Sequence, residues 1–96
     1  MSKPYDDIVI EENHFIRTID NTADNSEMEM VWHRDRADRK VVALEGDEWY
    51  LQMDNEMPQL IELNKPMHIK KGVYHRVIRG KQKLKLEIWE SNHDKI

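Results

Sequence analysis

Apolar and polar positions along this chain alternate in short runs, the period of a strand with one buried face. Over residues 28–34, Met28, Met30 and Trp32 share one face, with Glu29, Val31 and His33 on the other. Trp49, Leu51 and Met53 share a face of a strand over 48–53, and Leu84, Leu86 and Ile88 a face of one over 84–89. Further short apolar runs predict strands over 8–10, 15–19, 41–44, 60–63, 67–69 and 73–78. Between them lie turn signals: a polar loop Asp20–Ser26, a charged turn at 34–38, the triplet Glu45-Gly46-Asp47, and Asp54–Pro58. No window keeps apolar residues at i, i+3, i+4 and i+7 over three turns, so helix is at most a minor component. Eight or so short strands with regular turns predict an all-β sandwich or barrel. There is no linker or internal repeat, so residues 1–96 are read as a single domain with a loose tail at 91–96.

Size and composition narrow the classes of function. A chain of 96 residues buries about 60–65% of its unfolded surface, enough for one small core. The formal charge is −4 and the pI about 5.7. Nucleic acid is therefore not expected as a partner, because neutralising phosphates needs a surplus of Lys and Arg. The absence of cysteine removes disulfides, thiol nucleophiles and cysteine-based zinc sites. No run approaches the ~20 apolar residues that span a bilayer, so no membrane partner is expected. Residues 1–7 lack the apolar run of a signal peptide, and the expected location is cytoplasmic.

The candidate chemistry lies in His33, Asp35 and His75. Residues two apart on a strand point the same way, so His33 and Asp35 can reach one point between the sheets. His75, on a later strand, can supply a third ligand. Two imidazoles and a carboxylate are the facial ligand set of non-haem iron sites, and they also suit Mn, Ni or Zn.

The spacing resembles the two motifs of the cupins, small jelly-roll barrels. The first motif, Gly-x5-His-x-His-x3–4-Glu-x6-Gly, is matched in register by Glu27, His33, Asp35, Arg39 and Gly46. The second, Gly-x5-Pro-x-Gly-x2-His-x3-Asn, is matched by Asn64, Lys70, Gly72, His75 and Arg79. The stretch from Ile69 to Val77 is the most cupin-like. Gly72 is expected to turn with positive φ before the ligand strand, and Asn64 to take the left-handed conformation of the glycine it replaces. The resemblance covers residues 27–90 and implies a cupin-type jelly roll, or double-stranded β-helix barrel.

Of the four metal ligands that the resemblance implies, His33 and His75 remain. Asp35 stands for the second histidine and can still bind a metal. Arg39 stands for the glutamate and cannot. At an effective dielectric of ~20, two positive units ~5 Å apart cost about 3 kcal/mol, and a divalent ion about twice that. Arg39 is thus read either as a clamp for an anionic ligand or as the partner of Asp35 in a buried ion pair. Tyr50, Gln52 and Tyr74 are candidate polar groups for a ligand. A 2-oxoglutarate oxygenase would need a basic residue near Lys85, but the Leu84, Leu86 and Ile88 stripe turns Lys85 outward. His14, His68 and His93 are read as structural or surface residues.

The leading expectation is a barrel pocket that binds a small polar or anionic molecule, with a divalent metal on His33, Asp35 and His75. Oxygenase or isomerase chemistry follows if the metal is bound. The alternatives are a metal-free sugar-binding or isomerase-type cupin, where His33 and His75 move protons, and a non-catalytic interaction protein. If His33 faces inward, Met28, Met30 and Trp32 face outward, and that stripe predicts a homodimer.

Overall fold

The computed structural model describes residues 5–22 and 30–91. Eight strands run in chain order: β1 Tyr5–Glu11, β2 His14–Ile19, β3 Arg39–Asp47, β4 Tyr50–Met53, β5 Gln59–Leu60, β6 Met67–Ile69, β7 His75–Ile78 and β8 Lys81–Glu90. They form a five-stranded sheet, β1-β2-β8-β3-β6, and a three-stranded sheet, β5-β4-β7. Every strand pair is antiparallel. No helix among the described residues is long and apolar enough to cross a membrane.

The core lies between the sheets and follows the alternation. Leu84, Leu86 and Ile88 of β8 are buried, as are Val41 and Ala43 of β3, Ile19 of β2 and Ile69 of β6. From the opposite side come Leu51, Val77, Ile61 and Trp49, with Met53 packed against them. The Trp49 indole N–H would be costly to bury alone; it donates to the carbonyl oxygens of Gln82 (3.1 Å) and Lys81 (3.3 Å). Gly72 and Asn64 both have positive φ, +79° and +63°, as their places in the chain require.

Three sequence expectations are corrected. The triplet Glu45-Gly46-Asp47 does not end its strand but forms the irregular end of β3, where the register against β8 shifts twice. Gly46, at φ +142°, absorbs the distortion, and Lys85 reaches Glu45 across the ladder at 3.6 Å. Of the strand read over 28–34, the described residues 30–34 hold a single bridge, at His33. Its outward stripe is overturned at Met30. Met30 is buried in the core cluster and its sulfur faces the Arg79 guanidinium, while Trp32 is exposed beneath the Arg76 guanidinium. Residues 30–32 lack strand geometry, so period-two alternation does not apply there. Met28, Glu27 and His93 lie outside the described residues.

Candidate metal centre

The site begins at one rung of backbone. The His33 N–H donates to the His75 carbonyl (3.0 Å) and the His75 N–H to the His33 carbonyl (2.8 Å). Residues paired this way project side chains to the same face, and the two imidazoles meet edge to face with centroids 4.3 Å apart. Gly72 shapes the turn into β7, and its N–H donates to the Asp35 carbonyl (3.0 Å), tying the two loops of the site together.

Each ring is oriented by a carbonyl two residues back. His33 Nδ1 lies 2.8 Å from the Val31 oxygen and His75 Nδ1 2.8 Å from the Val73 oxygen. A carbonyl only accepts, so each Nδ1 carries a hydrogen, and Nε2 is left to hold either a second proton or a metal. Asp35 Oδ2 lies 3.3 Å from His75 Nε2, an ion-pair contact without a well-formed hydrogen bond. The three donor groups all lie within 4.8 Å of one another. Two imidazole lone pairs and a carboxylate converging on one point repel unless a cation, proton or metal, joins them.

Burial pushes the Asp35 carboxyl up. The His75 contact, the Arg39 guanidinium and the charges of His75 and His33 outweigh it and hold the group below the usual carboxylate value. It therefore stands ionised as a ligand must. The donor set fits a divalent ion of the Fe, Mn, Ni or Zn type.

Arg39 sits beside the triad on the inner face of β3, directly across from Glu90 of β8. Its Nε donates to Glu90 Oε2 (2.8 Å) and its Nη2 lies 2.8 Å from the same oxygen. Its Nη1 is 3.5 Å from Asp35 Oδ1. The guanidinium is thus committed first to Glu90, a partner the sequence reading missed. The signal was present: Leu84, Leu86 and Ile88 face inward, so Glu90, two further on, does too, and a carboxylate there needs a cation.

Tyr50, Gln52 and Tyr74 are not brought to the site. Tyr50 and Gln52 flank the buried Leu51 and turn to the outer face of the three-stranded sheet, where Gln52 accepts from Arg76 (3.0 Å). Tyr74 precedes the inward His75 and is exposed, with the Arg34 guanidinium 5.3 Å from its ring centre. His14 stacks on Trp89 and bonds Glu87 (2.8 Å), and His68 is exposed, as expected of structural and surface histidines.

The barrel interior beside His75 holds a void of about 20 Å³, lined by Arg39 and His75 and otherwise by aliphatic groups including Leu51, Ile61, Val77 and Leu86. That is room for one water. Two larger hollows, about 400 Å³ beside Lys40, His68 and Trp89 and about 480 Å³ beside Trp32 and Arg76, are open depressions that do not contain the triad.

The two-sheet barrel with this rung at its mouth is the cupin fold. A cupin-2 domain protein from Shewanella frigidimarina superposes with TM-score 0.63 at 20% identity, over 92% of this chain and 79% of that one. A cupin domain from Bordetella pertussis does so with TM-score 0.61 at 17% identity, over 96% and 99%. The iron(II) protein HppE, in complex with its substrate, matches with TM-score 0.62 at 17% identity over 91% of this chain, which spans 52% of that one. No protein-family profile matches the sequence, and no protein of curated function matches it. At these identities the likeness establishes the fold, and the chemistry rests on the side chains.

Proposed function

We propose that this cupin-fold chain holds a divalent metal ion on His33, Asp35 and His75 and binds a small polar or anionic molecule beside it. The observation that carries this reading is the convergence of the donors: both histidine rings are pinned through Nδ1, His75 Nε2 lies 3.3 Å from Asp35 Oδ2, and all three residues offer a ligand atom within 4.8 Å of one another. When bound, the ion supplies Lewis acidity or a site for O₂, which supports oxygenase or isomerase chemistry. The chain's own part is to fix the rings, keep Asp35 ionised and exclude water with the aliphatic walls. A void of about 20 Å³ does not admit a sugar. The void beside His75 favours a very small ligand there.

A second reading draws on the same contacts. His75, Asp35, Arg39 and Glu90 form a chain of ion pairs that can serve as a charged core in a non-catalytic protein. Metal analysis of protein purified without a polyhistidine tag separates the two. The expected result is close to one equivalent of metal in the parent protein, loss of it in His75→Ala, and a melting temperature that drops when the parent is treated with chelator. A parent protein free of metal and indifferent to added Fe, Mn, Ni or Zn would leave the charged-core reading standing.

A further inference from the structure

Arg39 occupies the position at which the resembled motif has a fourth metal ligand, and its contacts give it a different task. The β3–β8 register sets it opposite Glu90, whose Oε2 takes both Nε and Nη2 at 2.8 Å. That grip fixes the plane of the guanidinium and leaves Nη1 in ion-pair range of Asp35 Oδ1, 3.5 Å away and longer than a hydrogen bond. The other oxygen, Oδ2, faces His75 Nε2 at 3.3 Å. Both side chains are largely enclosed, with Arg39 13% and Asp35 9% exposed.

We propose that Arg39, anchored by Glu90, is a positioning residue that holds Asp35 by Oδ1 so that Oδ2 alone is offered to the metal. The inference rests on the metal-binding reading above. A planar fork suits this task, since it can grip one carboxylate with one edge and aim a remaining N–H at another. Glu90 also cancels the charge of Arg39, which would otherwise oppose a divalent ion. Protein groups beside a metal ligand commonly set its orientation and affinity in this way. In this chain the pair limits the protein's donors to three and makes the carboxylate a one-oxygen ligand.

The test is titration of metal-free protein with Co²⁺ against a chromophoric chelator, recording the visible bands of the bound ion. The parent protein binds and His75→Ala does not; if the two bind alike, the metal reading itself fails, whatever Arg39 does. The double variant Arg39→Gln with Glu90→Gln leaves local charge unchanged and removes the grip. Its Co²⁺ affinity is expected to fall about 10-fold or more, with altered bands as Asp35 rotates. Parent-like affinity with superimposable bands overturns the proposal. If circular dichroism shows the double variant unfolded, Glu90→Gln alone decides. It leaves Arg39 charged and unanchored, so affinity falls, and falls most at low salt, where charge repulsion is least screened. Unchanged affinity at low salt overturns the proposal.

Discussion

At the scale of single residues, Asp35 decides how the site behaves. Its carboxyl is held below the ordinary value near about 3.9 by its cationic neighbours despite burial. A carboxylate depressed in the folded state contributes stability at pH above its unfolded value. That contribution fades as pH falls through the lower, folded value. Asp35→Asn removes it. In chelator-treated protein the variant is expected to lose about 1–3 kcal/mol near neutral pH and to converge on the parent as the pH falls through the lowered, folded value. Urea unfolding across that range reads both, and a gap that persists in acid would contradict the assignment. The positions of His33, Asp35 and His75 were legible in the sequence, because strand alternation and motif spacing depend on residue number alone. The inward face of Glu90 was legible too, by the same alternation, but its pairing with Arg39 was not. It depends on the register between β3 and β8, strands far apart in sequence, which spacing within either one does not fix.

At the scale of elements, alternation carried most of the architecture. In β8 it turned Leu84, Leu86 and Ile88 inward and Lys85 outward, and the structure agrees. Two substitutions on this strand should therefore differ sharply. Ile88→Ala is expected to cost about 2–5 kcal/mol, and Lys85→Ala less than about 0.5 kcal/mol. Urea midpoints check this, and equal effects would refute the assigned faces. The same alternation misplaced Tyr50 and Gln52 only because their polarity was read as a sign of ligand binding; in β4 they turn away from the pocket. It failed outright before His33, where Met30 enters the core from a segment without strand geometry. The extension of β3 through Gly46 escaped notice because a glycine between two acids looks the same in a bulge and in a turn.

At the scale of the whole molecule, the surface argues for a companion. Among the described residues β1 is an edge strand, and its Ile8, Val9 and Ile10 are 63%, 73% and 47% exposed. A long apolar edge invites pairing, and we propose that a second copy of the chain provides it, in place of the Met28, Met30 and Trp32 stripe. Sedimentation equilibrium should give twice the 11.6 kDa chain mass, with Val9→Glu returning it to one chain; a single-chain mass for the parent would end the idea. The reciprocal amide rung between His33 and His75 has a consequence for assembly of the fold itself. A slip of one position there would set His33 against Tyr74 or Arg76, and His75 against Trp32 or Arg34, and part the two imidazoles. A bound ion would then reward one alignment and no other, acting as a proofreader that lets the chain close correctly or stay open to try again.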